Sequence, residues 1–387
     1  MRKINVVLVA RPDQSLQIYN ALLQQNALSF KYITFKVFPQ WIKKLTKYRK
    51  MTTVSRDAIC SWRLTIINIC KFKFRFGFAQ SWNETSFLGP ILKKVLKRSE
   101  VSLIHYWPEY GNKEVLQYVK MHPSVKSFAD VHMPHPKAIF ESMKPVYSQY
   151  GIKPETTQLY AIAREQSDVL GDEINVLVPS LYVAETYKQI YPNKKYFIVS
   201  YGITVNIHYS KQYKEKISNF VYAGRISLEK GSDLLLEYFS NHNEYTLHLF
   251  GGVLAGQESI FCKYQNYENI IFHGSVPKVE LQNYLKKYDV GIHLSRFDAY
   301  SLAVGEMIGI GLPVIVSDHT GNMDDVLNEG FGEITDLTYC GINKAIKNIV
   351  DVNIYNKYID NIDSYIHHKH QAYGTKMVSF YNSMING

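Results

Sequence analysis

Residues 220–239 read FVYAGRISLEKGSDLLLEYF, and their order decides the fold. A short apolar run, Phe220 to Ala223, closes on Gly224; Arg225, Lys230 and Gly231 follow, and apolar residues then recur at helical spacing. A continuous apolar strand that passes through a glycine turn into an amphipathic helix is the building unit of a parallel sheet covered by helices. Glycine at the strand end lets a ligand approach the backbone, and the helix N-terminus that follows favours anionic groups. Arg225 and Lys230 stand where they would neutralise a diphosphate; a strand, a glycine turn and two surface cations also occur together without one.

The same rhythm runs outward in both directions. Short aliphatic or β-branched runs recur at Asn5 to Ala10, Val101 to His105, Val125 to Asp130 and Asn175 to Val178, then at Thr246 to Phe250, Ile270 to His273, Val290 to Leu294 and Pro313 to Ser317. Helix-length intervals separate them, which predicts an α/β fold with parallel sheets and helices on both faces. A polar, lysine-bearing stretch from Ile207 to Ser218 breaks the series into two blocks. The chain, at 387 residues, also exceeds the ~250 to 300 at which a single core stops growing. Two Rossmann-like domains with a cleft between them are expected, one over 1–206 and one over 207–369.

Composition narrows the class. Hydrophobic residues make up 46% of the chain and charged residues 20%, enough apolar material for packed cores and no case for disorder. The opening MRKINVVLVARPD carries too short an apolar run for a signal peptide and reads as a first strand. No stretch approaches the ~18 apolar residues of a membrane span, Leu302 to Val316 being interrupted by Glu306. Cys60, Cys70, Cys262 and Cys340 are scattered without a C-x-x-C pair, against a disulfide framework or a cysteine-rich metal site. A cytoplasmic location follows as the expectation. The formal net charge of +10 is concentrated: from Lys31 to Arg98, 16 Lys and Arg stand against Asp57 and Glu84, a balance of +14. Within that segment Lys71 to Phe78 alternates cations with four Phe, the pattern of a half-buried strand.

Further along, FHGSVPKVELQNYLKKYDVGIHLSRFDAYSLAVGEMIGIGLPVIVSDHTGNMDDV resembles the donor domain of the family 4 glycosyltransferases of the two-Rossmann (GT-B) architecture. The family's small residue, Arg, Glu, Gly, Phe, Gly, Leu, three residues, Glu, Ala is matched by Ser295-Arg296-Phe297-Asp298-Ala299-Tyr300-Ser301-Leu302 and Glu306. Its Gly-Leu-Pro-Val strand and Gly-x-x-Glu turn are matched by Gly311-Leu312-Pro313-Val314 and Gly321-Asn322-Met323-Asp324, and Gly-Arg-x-x-x-x-Lys-Gly is intact at 224–231. The resemblance spans about 105 residues and touches Val178-Pro179-Ser180 and Ser200-Tyr201-Gly202-Ile203 more faintly.

That resemblance implies a retaining transfer of a sugar from a nucleoside-diphosphate sugar to a glycan or lipid-linked glycan, as in bacterial surface polysaccharide synthesis. It implies that Arg225 and Lys230 bind the pyrophosphate, that Glu306 accepts from the ribose hydroxyls, and that Asp298 lies close to the transferred sugar. Gly224, Gly274, Ser275, Val276, Ser301 and Leu302 complete the donor contacts. Asp298 replaces the family's usual Glu, one methylene longer, and also reads as a cap for the helix that follows. Arg296 reads either as a surface cation or as a third phosphate contact. No D-x-D sequence occurs, so no metal and no cofactor is expected, the nucleotide sugar being a substrate. Residues 370–387 are expected as a C-terminal helix packing back on the first domain.

The first half resembles the family less. Where relatives carry a glycine pair after the first strand, this chain has Ala10-Arg11-Pro12-Asp13-Gln14-Ser15; Ser15 and Asp13 read equally as helix caps. In the family a histidine after the strand matching Val125 to Ala129 enters the catalytic cleft, which points to His132, with His135 second and Asp130 as the group orienting the imidazole. His105 and Trp107 follow another strand toward the same crevice and are acceptor-side candidates. The basic segment with Trp41, Tyr48, Trp62 and Phe72 to Phe78 suits an anionic membrane surface. Two rivals stand: an epimerase of nucleotide sugars on the same fold, and a basic nucleic-acid-binding protein. The second lacks any recognised binding motif, so no nucleic-acid partner is expected.

Overall fold

The computed structural model describes residues 2–10, 14–34, 58–60, 85–165, 170, 174–205 and 209–387. Two sheets, both wholly parallel, organise them. The first joins β1 (Arg2–Val9), β2 (Phe30–Thr34), β3 (Ala58–Cys60), β4 (Ser99–Tyr106), β5 (Lys126–Asp130), β6 (Asn175–Val178) and β7 (Tyr196–Ile198) in the order 3-2-1-4-5-6-7. The second joins β8 (Asn219–Ala223), β9 (Thr246–Phe250), β10 (Ile270–Gly274), β11 (Val290–His293), β12 (Val314–Ser317) and β13 (Gly332–Thr335) in the order 10-9-8-11-12-13. Each is a doubly wound sheet whose order reverses beside its first strand, at β1/β4 and at β8/β11, so a ligand crevice lies outside the carboxyl ends of those strands.

The central strands are apolar on both faces because helices cover both: Val6 through Val9, Leu103 and Ile104 are all fully buried, as are Phe220, Val221 and Tyr222 in the second sheet. The first core also takes in Tyr373, Met377, Val378 and Tyr381 from the last helix, Tyr373–Asn386. That helix lies so close to the helix Ser15–Gln25 that a Cβ on Gly374 would stand 2.1 Å from the Gln17 carbonyl oxygen. Only a residue without a side chain permits the approach. The chain thus crosses between the domains twice, once after β7 and again before this helix.

The domains touch through specific groups. Ile139, Met143 and Tyr147 of the helix Pro136–Gln149 join the core of the second domain. Tyr147 Oη donates to Glu229 Oε1 at 2.7 Å and Tyr150 Oη to Asp233 Oδ2 at 2.9 Å, while Ser180 Oγ donates to the Ala299 carbonyl at 2.8 Å. Among the described residues no helix is long and apolar enough to cross a membrane. The alternating Lys71 to Phe78 segment, and most of the cations between Lys31 and Arg98, lie outside the described residues.

Candidate active site

Three strand ends build a cleft in the second domain. The Gly224 N–H donates to the Phe250 carbonyl at 2.9 Å, and the Gly251 N–H to the Gly274 carbonyl at 2.8 Å, which ties the ends of β8, β9 and β10 together. A Cβ on Gly251 would sit 1.7 Å from the Gly224 carbonyl oxygen, so the two turns meet this closely only with glycine at position 251. The resulting cleft, about 640 Å³, is bounded by Gly224 and Arg225, by the loop Phe250 to Ala255, and by Ser275, Val276 and Leu281. Its size is that of a small-molecule site. Of the donor candidates, Gly224, Arg225, Ser275 and Val276 are brought together here; Gly274 is exposed and not part of the lining, its carbonyl accepting from the Gly251 N–H.

The loop from Gly224 to Gly231 carries the charge. Its end is wound tightly: the Ser227 carbonyl accepts from the N–H groups of Lys230 and Ser232, and Ser232 Oγ accepts from the Ser227 N–H at 3.0 Å. Gly231 takes the left-handed conformation (φ +65°), and a Cβ there would be 1.8 Å from the Leu294 carbonyl oxygen. This close seat delivers Lys230 to the end of β11, where its Nζ meets Asp298 Oδ2 at 2.6 Å. His293 Nε2 approaches the same oxygen at 3.1 Å. Burial by itself raises a carboxyl's pKa, but the His293 hydrogen bond and the Lys230 charge outweigh it and hold Asp298 well below the usual carboxylate range. Asp298 is therefore an ionised side chain at the strand ends, fixed by its own backbone as well: its N–H donates to the His319 carbonyl at 3.0 Å.

Arg296 does different work from a phosphate contact. Its guanidinium grips Asp233 through Nη1 at 2.6 Å and Nη2 at 2.8 Å, and Nη1 also reaches the Leu228 carbonyl at 2.5 Å. Such a fork-to-fork pair is both strong and directional, and it clamps the loop bearing Lys230 to the helix Ser232–Ser240. Glu229 is held beside it, accepting from Gln257 Nε2 at 3.3 Å as well as from Tyr147 across the domain boundary.

The helix Leu302–Gly309 opens with Ser301 as its cap, Oγ accepting from the Val304 N–H at 3.4 Å. Asn322 brackets the cap residue: its Oδ1 accepts from the Ser301 N–H at 2.6 Å and its Nδ2 donates to the Ser301 carbonyl at 3.2 Å. Asp298 is thus not the cap. Glu306 is 5% exposed in the middle of this helix, whereas Leu302 is 42% exposed at its start. A buried carboxylate is retained only where its charge is met by donors.

On the facing side of the molecule, His132 stacks on Trp107 with ring centroids 4.2 Å apart, and its Nδ1 has no hydrogen-bond partner among the described residues. Asp130 does not orient it. That carboxylate accepts from Trp107 Nε1 and faces His105 Nε2, both at 3.1 Å. His105 itself is fully buried and bonded at Nδ1 to Tyr381 Oη at 2.5 Å, so it cannot touch an acceptor; it joins the last helix to the first sheet. His135 is likewise buried, capping the helix Pro136–Gln149 by accepting from the Lys137 N–H at 3.3 Å. His105 lies within β4 and His135 follows β5, and both side chains are buried. Arg11 and Asp13 lie outside the described residues.

Three groups escape a reading of the sequence. The loop Phe250 to Ala255 has a visible signal, Gly251-Gly252 after a strand. His293 shows only as a polar residue in an otherwise apolar run, and Asn322 stands inside a turn noted for its glycine.

Comparison with known proteins shows what the chain resembles. Residues 206–361 match the family model described as Glycosyl transferases group 1. A protein of Klebsiella pneumoniae described as an uncharacterized 41.2 kDa protein in cps region is 30% identical over 119 residues, 30% of this chain and 32% of that protein; the match spans about a third of the relative. Among solved structures, sucrose-phosphate synthase from Thermosynechococcus elongatus superposes with a TM-score of 0.64 at 16% identity, over 100% of both chains. HepE of Anabaena in complex with UDP and glucose follows at 0.58 and 12%, over 98% of this chain and 99% of that one. WaaG, a glycosyltransferase involved in lipopolysaccharide biosynthesis, gives 0.57 and 12% over 99% and 100%. At these identities the likeness is one of fold: the chain has the GT-B architecture.

Proposed function

We propose that this chain, whose residues 206–361 match the family model described as Glycosyl transferases group 1, is a glycosyltransferase that transfers a sugar from a nucleoside-diphosphate sugar to a hydroxyl of a glycan or lipid-linked glycan, in surface polysaccharide synthesis. The observation that carries the reading is the placement of Arg225 on a cleft of about 640 Å³ at the β8 strand end, with the Lys230–Asp298 pair beside it. The nucleoside would occupy the cleft against Ser275 and Val276. The diphosphate would lie toward Arg225 and Lys230, and Glu306 would take the ribose hydroxyls. Cations preorganised at the leaving group stabilise the charge that grows there as the glycosidic bond breaks.

The step is a substitution at the anomeric carbon with retention. The bond from that carbon to the diphosphate oxygen breaks, the acceptor oxygen bonds to the same face, and the acceptor's proton passes to the departing diphosphate. Arg225 and Lys230 supply the positive charge for this without a metal ion. His132, whose Nδ1 has no partner among the described residues, and Asp298 would contact the transferred sugar. The enzyme would work at the cytoplasmic face of the membrane, held to anionic lipid by its basic segment.

Thermal-shift measurements with uridine, guanosine and adenosine diphosphates test the reading and name the base. A nucleotide at 100 times its dissociation constant stabilises the fold by about 2.7 kcal/mol. A chain whose melting temperature responds to none of the three is not a nucleotide-sugar enzyme.

A further inference from the structure

Asp298 is held on one side only. Lys230 Nζ at 2.6 Å and His293 Nε2 at 3.1 Å both meet Oδ2, and among the described residues no side chain bonds to Oδ1. The two donors therefore turn the carboxylate and leave its second oxygen for a ligand. An ionised carboxylate can only accept, so His293 must carry its proton on Nε2. Its Nδ1 is then a bare lone pair, and that atom is buried with no donor facing it among the described residues.

The surroundings keep the ring in this form. Burial drives the His293 pKa below the ordinary histidine value, Asp298 pulls it back up, and the Lys230 ammonium pushes it down again. A second proton on Nδ1 would be buried without an acceptor and would set two cations on one carboxylate oxygen. The ring is also fixed in orientation. It lies parallel to Tyr222 of β8, centroids 6.0 Å apart and planes 9° from coplanar, and Tyr222 Oη donates to the Arg225 carbonyl at 2.6 Å. One stacked pair at the point where the strand order reverses thus sits behind both Arg225 and Asp298.

We propose that His293 is a positioning residue of the donor site, its Nε2–H fixing the Asp298 carboxylate against Lys230 so that Oδ1 faces the transferred sugar. This rests on the reaction proposed above and adds to it a reason for the shorter side chain at position 298. An aspartate reaches less far than a glutamate and swings through fewer conformers, so a second donor at its base is enough to aim it.

Two variants separate aiming from packing. His293→Phe keeps the ring, the volume and the stack on Tyr222 while removing the donor; His293→Gln keeps an N–H that reaches Asp298. In His293→Phe, kcat should fall roughly 10- to 100-fold, the range for lost partners of a site's contact residues, with melting temperature and nucleoside-diphosphate affinity little changed. His293→Gln should recover most of that loss. Turnover of His293→Phe equal to that of the parent overturns the proposal, as does an equal loss in both variants that follows a drop in melting temperature. Nitrogen NMR of labelled imidazoles reads the geometry without any turnover. The resonance missing from His293→Phe should belong to a neutral ring protonated at Nε2 at neutral pH; a cation, or a ring protonated at Nδ1, overturns the proposal. A parent chain that transfers from no sugar nucleotide overturns the reaction instead, and leaves the NMR result standing on its own.

Discussion

At the scale of single residues the charge cluster is the most exposed to test. Replacing Arg225 or Lys230 by Ala removes one preorganised cation from the leaving group, and steady-state turnover should drop by roughly 100-fold or more; two variants with the parent's rate would remove the diphosphate from this loop. A second pair of residues sets a dependence on pH. On the edge of the second sheet His248 Nδ1 faces His273 Nε2 at 3.0 Å, and His273 stacks on Phe250 of the cleft wall. Burial, and then the neighbouring His273, lower His248 from 6.5 to about 4. The unfolded chain therefore binds a proton that the folded chain refuses between those values, so this site's stabilisation is full above pH 6.5 and is lost as pH falls toward 4. His248→Phe should lose less melting temperature than the parent between neutral pH and pH 5; equal losses would place the acid sensitivity elsewhere. The sequence makes Arg225, Lys230 and Asp298 visible because glycines and a carboxylate at fixed intervals are rare. His293 stays hidden because a lone histidine in a strand has no periodicity, and Arg296 stays ambiguous because its partner, Asp233, is 63 residues away.

Among the elements, the turn into the helix Ser232–Ser240 carries the strictest demand. Gly231→Ala must cost more than the ~1–2 kcal/mol of a left-handed residue with a side chain, since its Cβ would also strike the Leu294 carbonyl. Gly256→Ala is the control: φ is +88° there, but nothing lies within 4 Å of an added Cβ. Urea unfolding should show the first change as clearly the larger, and a similar cost for both would mean that the loop yields without strain. The central strands are the easiest to read from the sequence. β1, β8 and β11 announce themselves as continuous apolar runs because both faces are covered. β2 does not, although only Lys31 of Phe30–Thr34 escapes burial, since Lys31 and Thr34 interrupt its apolar run; β3, β7 and β13 do not either, and all three are sheet edges. There the pressure for apolar side chains is relaxed: β7 has no buried residue and β13 only Thr335.

Over the whole molecule, surface charge makes its own forecast. Lys43, Lys44, Lys47, Arg49 and Lys50 lie outside the described residues, yet each cation near an anionic bilayer contributes up to ~1 kcal/mol of attraction. Sedimentation with anionic vesicles at low salt should carry the protein down and release it at high salt, and Ser at these five positions should abolish the effect. Equal recovery in the supernatant with neutral and anionic vesicles would point to an acceptor free in solution. The two-domain layout was legible because one polar stretch breaks two similar rhythms; the contacts across the boundary were not, since Tyr147 and Glu229 are 82 residues apart. The two chain crossings run side by side. His370 Nε2 bonds the Ile203 carbonyl at 3.0 Å, Lys376 Nζ donates to Ser200 Oγ at 3.0 Å, and the rings of Tyr201 and Tyr373 meet edge to face at 5.0 Å. A single tether would let one half swivel about any axis, whereas a doubled one works as a two-ply ribbon, pliant across its width and stiff against torsion. Any relative movement of the two sheets would have to bend both plies together, and twisting them apart would break these three contacts.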